Sequence, residues 1–130
     1  MAKIDAAKFW KDLKKRNVDG ADVVIAVAQD YATGDVLMVA FQDEAALAKT
    51  LKTNIMHYYS LSRKKLWKKG EKSGNTQKVK GVRLDCDKDA LLYSVEQKGG
   101  ACHEGYRRCF YRTLDGEVKE EKVFEPEDVY

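Results

Sequence analysis

Residues 22–41 read DVVIAVAQDYATGDVLMVAF, and their pattern decides the fold. From Asp22 to Gln29, Val23, Ile25 and Val27 alternate with Val24, Ala26 and Ala28. Both faces are apolar, and a well-buried strand is expected. Thr33 and Gly34 then turn the chain, and Val36 to Phe41 supplies a second apolar strand that completes a hairpin. On the amino-terminal side, Ala6, Phe9, Trp10 and Leu13 fall at helical spacing among lysines, so an amphipathic helix over 5–17 is expected to pack by that stripe. On the other side, Asp43 is placed to cap a helix over 42–52 with Ala46, Leu47 and Leu51 on one face. Met56–Ser60, Lys78–Leu84, Ala90–Glu96 and Arg108–Thr113 carry the β-branched and apolar content of strands. Strands outnumber helices and no repeat interrupts them. The reading is one α+β domain over 1–130, with a mainly antiparallel sheet and a few short helices.

Composition narrows the class. At 44% hydrophobic and 35% charged with a single proline, the chain is neither disordered nor membrane-embedded, and no Pro/Gly/Ser-rich linker divides it. Met1 to Asn17 mixes charged with apolar residues and lacks the unbroken apolar stretch of a signal or membrane helix, so a cytoplasmic address is expected. Cys86, Cys102 and Cys109 cannot all pair within one chain, and a reducing compartment leaves them as free thiols or metal ligands. The net charge of +3 is modest but uneven. Between Ser62 and Arg83 only Glu71 is acidic, among many lysines and arginines, and such a stretch attracts anions. Acidic residues recur from Asp115 to Asp128, so 115–130 reads as a solvated tail that keeps the chain soluble.

Three groups of residues carry chemistry. Asp85, Asp87 and Asp89 alternate between two predicted strands. In an extended segment they share one face, where they offer oxygen ligands to Mg²⁺ or Ca²⁺, while Cys86 points the other way. An EF-hand reading of the same residues fails because Ala90 stands where that loop needs glycine and the flanks look like strands. Cys102 and Cys109 lie on a glycine-rich segment with His103. Thiolates suit Zn²⁺, and three of them leave a fourth position open, as catalytic zinc requires; His103 then serves as a nearby base. Ser60, Ser62, Arg63, Lys69, Lys72 and Ser73, near Gly70 and Gly74, are groups that hold phosphate oxygens. His57 sits on a strand pattern, either as a structural histidine or as a catalytic one.

Four segments, HYYSLSR (57–63), LWKKGEKSGNTQ (66–77), RLDCDKDALL (83–92) and GGACHEGYRRCFYR (99–112), resemble the phosphoribosyl-AMP cyclohydrolase family in order and spacing. The resemblance implies Mg²⁺ on Asp85, Asp87 and Asp89, Zn²⁺ on Cys86, Cys102 and Cys109, and an intertwined homodimer whose zinc sites draw cysteines from both chains. It implies hydrolysis of the C6–N1 bond in the N1-ribosylated adenine of phosphoribosyl-AMP. The purine ring opens to the phosphoribosyl-formimino-aminoimidazole carboxamide ribotide of histidine biosynthesis. A zinc-activated water attacks C6, and proton transfer falls to His103 first and His57 second. No fused pyrophosphohydrolase domain is expected. Glu104, Arg108 and Phe41–Glu44 depart from the family pattern, and Glu104 with Arg108 is expected as a compensating charge pair. A nucleic-acid-binding module would use Trp67, Tyr58 and Tyr59 with the basic stretch, but it explains neither the aspartates nor the cysteines; no nucleic-acid or membrane partner is expected. A purely structural zinc protein would unfold on chelation without turning over substrate.

Overall fold

The computed structural model describes residues 5–130. Helix α1 (Ala6–Asp12) opens under Asp5, whose side chain accepts from the Lys8 N–H. It ends earlier than expected, because Arg16–Val18 pairs as strand β1 with the first residues of β2 (Ala21–Asp30) across Asp19-Gly20. Both turn residues have positive φ, 52° and 87°, as a two-residue hairpin demands. None of α1 is fully buried; Leu13, just past it, is the buried member of the expected stripe.

Strand β3 (Val36–Gln42) returns antiparallel to β2, as the opening stretch predicts. Asp43 caps α2 (Glu44–Thr53) by accepting from the Ala46 N–H at 2.9 Å, and α2 buries Ala46, Leu47 and Thr50. Strands β4 (His57–Ser60), β5 (Lys65–Lys68), β6 (Gln77–Leu84) and β7 (Ala90–Gln97) complete one sheet in the order β5-β4-β3-β2-β7-β6. Every pair is antiparallel except β2–β7, which is parallel. A parallel pair needs a long crossover, and everything from β3 to β6 supplies it.

Only one face of β2 is sealed along its length; on the other, Val23 alone is buried. Val24, Ala26 and Ala28 join Leu37, Met56, Tyr58, Tyr93 and Val95 in the core. On the other face, Ile25 and Val27 stand beside Phe41, Val39 and Leu92, none of them buried; Ile25 is 37% and Val39 49% exposed. The two-sided burial expected from this run is therefore half met within one chain.

Two polar chains pin the core. The Tyr93 hydroxyl donates to Gln42 Oε1 at 2.7 Å, and Gln42 Nε2 donates to the His57 carbonyl at 2.8 Å and to Thr50 Oγ1 at 3.1 Å. The Tyr58 hydroxyl donates to Gln77 Oε1 at 2.6 Å, and Gln77 Nε2 donates to Gln97 Oε1 at 2.8 Å. Buried polar groups that are all partnered fix geometry. These fix β4, the start of β6 and the end of β7, between and beyond which the loops of the site run.

The strand expected over Arg108–Thr113 does not form; an isolated Arg112–Val118 bridge and one bond from the Cys109 N–H to the Leu37 carbonyl, 2.7 Å, are its pairings. The chain just before it closes into a loop, in which Ala101 N–H donates to Arg107 O and Cys102 N–H to Tyr106 O, at 2.8 and 3.1 Å.

Candidate active site

A cavity of about 860 Å³ opens between the β4–β5 hairpin, the loop that follows β5, the front of β3 and the cysteine loop. Ser60, Ser62, Arg63, Lys69, Lys72 and Ser73, the six residues picked as phosphate ligands, all line it. Local backbone chemistry puts them there. Ser60 Oγ accepts from the Arg63 N–H at 3.2 Å and lies 3.3 Å from Ser62 Oγ, which folds the hairpin turn. Past β5 the chain doubles back so tightly that a Cβ on Gly70 would meet the Thr76 nitrogen at 2.5 Å, and Gly70 has φ +82°. Only glycine fits there, and the turn presents Lys72 and Ser73. With Arg63, Lys65, Lys68, Lys69 and Lys72 against Glu71 and Glu104, the walls favour an anionic ligand.

Lys69 differs from the other cations. It is 4% exposed, and burial pushes its pKa down, opposed by the nearby thiols of Cys109 and Cys102. Those thiols are neighbours. Burial raises the Cys109 thiol to about 11, with the negative charge of Cys102 adding to the shift and Lys69 opposing it. Residue Cys109 is exposed overall, so it is the packing around its sulfur that desolvates it. Cys102 is buried, and its sulfur accepts from the Glu104 N–H at 3.4 Å. Arg107 anchors the loop to the β2–β3 turn, donating to Asp35 at 2.7 Å and Asp30 at 2.9 Å. Two adjacent thiols beside a cation are a soft-ligand donor set and fit Zn²⁺, two ligands short of a tetrahedron.

His103 lines the cavity with its side chain 78% exposed and Nε2 3.2 Å from a Glu104 carboxylate oxygen. His57 does not. It is buried beneath β4, with Nδ1 2.8 Å from the Ile55 carbonyl. Arg108 donates to Glu120 and lies 3.9 Å from Asp35, while Glu104 faces His103, so the expected Glu104–Arg108 pair is replaced by two others.

The aspartate triad lies elsewhere, in the turn joining β6 to β7. The segment is not extended as expected. It is a tight turn with Lys88 at φ +63°, in which Asp85 accepts from the N–H groups of Asp89 and Ala90 at 3.1 and 3.2 Å. The turn still gathers ligand oxygens of Asp85, Asp87 and Asp89 within 4.8 Å of one another, the one such cluster among the described residues. Sharing hydrogen bonds with Asp85 and Asp89 raises the Asp87 pKa. The Asp85 pKa is lowered, because desolvation, the largest single effect, is outweighed by its hydrogen bonds to the Ala90 and Asp89 N–H groups and to the neighbouring carboxyls together. Crowded, exposed carboxylates are a hard-oxygen donor set and fit Mg²⁺. Cys86 sits in this turn, exposed and apart from Cys102 and Cys109.

The phosphoribosyl-AMP cyclohydrolase family model matches residues 38–111. A phosphoribosyl-AMP cyclohydrolase from Methanothermobacter thermautotrophicus is 56% identical over 121 residues, covering 89% of this chain and 88% of that relative. Those from Methanosarcina mazei and Methanococcoides burtonii are 62% and 56% identical, covering 83% and 92% of this chain and 90% and 98% of theirs. The chain belongs to the phosphoribosyl-AMP cyclohydrolase family. It is an enzyme, a hydrolase of a C–N bond. The matched span contains the basic hairpin, the aspartate turn and both loop cysteines.

Several members of this candidate site escape sequence reading. Met38, Val39 and Ala40 floor the cavity, and Pro126 and Tyr130 line it from the carboxyl end. No local pattern marks them, because their positions depend on where β3 and the tail meet the cysteine loop. For Arg107, the surplus of acids at Asp30 and Asp35 around the first turn was the available signal.

Proposed function

We propose that this chain opens the purine ring of phosphoribosyl-AMP by hydrolysing the C6–N1 bond, in the cytoplasm and as a homodimer. One observation carries the reading: a single cavity joins cations and hydroxyls suited to two phosphates with His103 and with Cys109, whose thiol neighbours that of Cys102. Arg63 and Lys72, with the hydroxyls of Ser60, Ser62 and Ser73, hold the phosphates. Water adds to C6, the C6–N1 bond breaks, and the exocyclic nitrogen stays as a carboxamide. His103, oriented by Glu104, delivers the proton that N1 takes as it leaves. His57 is a positioning residue of β4, since its ring faces a backbone carbonyl away from the cavity.

Cys102 and Cys109 hold Zn²⁺ together with Cys86 of the partner subunit. Asp85, Asp87 and Asp89 hold Mg²⁺. Bound zinc supplies Lewis acidity that makes a nucleophilic water available near neutral pH. The unsealed apolar face of Ile25, Val27, Val39, Phe41 and Leu92 supports association with a second copy. Nothing else among the described residues covers it.

The test is turnover of phosphoribosyl-AMP by purified protein, with ammonia and metal content measured on the same sample. Loss of the purine chromophore without ammonia is expected. Stoichiometric ammonia would make the chain a deaminase, and no turnover would remove the reading.

A further inference from the structure

We propose that residues 123–130 form part of the substrate site, with Tyr130 as an aromatic wall against the purine base. The proposal rests on the cyclohydrolase reading and extends it to a specificity-determining residue. By sequence this segment is an acidic tail, and the match to the family model stops at residue 111. In the structure Leu114, Val118 and Val123 stay open to solvent, but Phe124, Pro126 and Val129 are half-buried, so the segment is held against the rest of the chain at those three points.

Val123 and Phe124 cross the cysteine loop, both donating to the Gly105 carbonyl, at 2.7 and 3.3 Å. Two glycines of the loop give up their side chains to this crossing. A Cβ on Gly105 would lie 2.4 Å from the Phe124 carbonyl oxygen, and one on Gly100 would lie 2.9 Å from Val123 and 3.0 Å from the Phe124 ring. The tail therefore sits directly against the loop that carries Cys102 and His103. A 3₁₀ turn (Pro126–Asp128) reverses the chain, closed by Tyr130 N–H to Pro126 O at 2.9 Å. It brings the Tyr130 ring to 6.3 Å from that of Phe124, tilted by 48°.

Pro126 and Tyr130 thereby line the same cavity as His103 and Cys109. The walls then divide by chemistry. Cations and hydroxyls come from the β4–β5 side, whereas the tail contributes a proline and a ring with no charge. A substrate with phosphates and a purine needs both surfaces. Tyr130 is 46% exposed, so its ring has area left to offer a flat heterocycle.

Base–aromatic contacts removed by alanine cost between about fivefold and a hundredfold in binding. For a half-open ring we expect Tyr130→Ala to raise KM for phosphoribosyl-AMP roughly tenfold while leaving kcat within about twofold. Tyr130→Phe should keep wild-type KM, because the ring and not the hydroxyl does the work. Zinc content and Tm, measured on the same preparations, should match wild type. A Tyr130→Ala protein with wild-type KM overturns the proposal, and so does a Tyr130→Phe protein that behaves like alanine. A kcat loss with lost zinc would show the tail to be scaffold for the cysteine loop and would also overturn it. Wild-type turnover with an indifferent Tyr130 leaves the cyclohydrolase reading intact; absence of wild-type turnover removes both.

Discussion

Cys86→Ser and Cys102→Ser proteins, each inactive alone, are expected to regain activity when unfolded and refolded together. The reason is distance. Cys109 hydrogen-bonds to Leu37 on β3, which the register places level with Tyr93 and Ser94 of β7. Cys86 lies beyond the opposite end, past the Leu84–Leu91 pair. Along the strands this is about five residues, or roughly 16 Å, and across β6-β7-β2-β3 three spacings add about 14 Å laterally, so the separation is about 20 Å. Thiolates sharing a tetrahedral zinc lie only about 3.8 Å apart, given Zn–S bonds of about 2.3 Å. No side-chain rotation closes that gap, so in the proposed zinc site the third thiolate comes from a second copy. In a hybrid dimer one site then carries both lesions and the other carries none. Random pairing makes half the dimers hybrid, each with one intact site of two, and recovered activity approaches roughly a quarter of wild type. Activity is read on phosphoribosyl-AMP, and hybrid content by native mass spectrometry of differently tagged chains. Efficient hybrid formation without activity would refute the reasoning, since three thiolates from one chain leave a lesion in every site.

Asp87→Asn should raise the Mg²⁺ concentration for half-maximal activity about tenfold or more while zinc content stays unchanged, because oxygen and sulfur donors select different ions; loss of both metals together would contradict separate sites. Cys109→Ser should abolish turnover and lower bound zinc, with circular dichroism showing the fold retained. Tyr93→Phe should destabilise by about 1–3 kcal/mol, as the fully buried Gln42 oxygen loses its 2.7 Å donor, and thermal melts would show it. Burial also raises the Tyr93 pKa, opposed by its bond to Gln42, so its contribution is full below the unfolded value and is lost as pH rises. Stability in urea should fall above about pH 10 by up to about 1.4 kcal/mol per pH unit from this group, and Tyr93→Phe should flatten that slope.

What sequence makes legible here is what neighbours in the chain decide. The β2–β3 hairpin, the Asp43 cap and strands β4, β6 and β7 follow from patterns of a few residues, and the structure has them. The hairpin before β2 carries an equally local signal, Asp19-Gly20, which the helical stripe of Phe9 and Trp10 masks. Arg108–Thr113 shows how a correct propensity loses: its apolar content suits a strand, but Gly99 and Gly105, both at positive φ, bend the preceding chain into a loop closed by that loop's own hydrogen bonds.

The aspartate turn is the more instructive case. Alternation in an extended strand predicts that Asp85, Asp87 and Asp89 converge and that Cys86 points elsewhere. The chain is not extended there, yet the carboxylates converge and Cys86 is exposed. The turn achieves this because Asp85 folds the backbone onto itself by accepting from Asp89 and Ala90, which draws the outer carboxylates together on either side of Asp87. Hydrogen bonds shared with Asp85 and Asp89, with the repulsion of their charges adding to them, make Asp87 hold its proton more tightly than an ordinary carboxyl. A divalent cation would remove that repulsion, so on the proposed reading the turn gains stability when Mg²⁺ is added. The same turn leaves Cys86 exposed, as the proposed sharing of its thiol with a second copy requires.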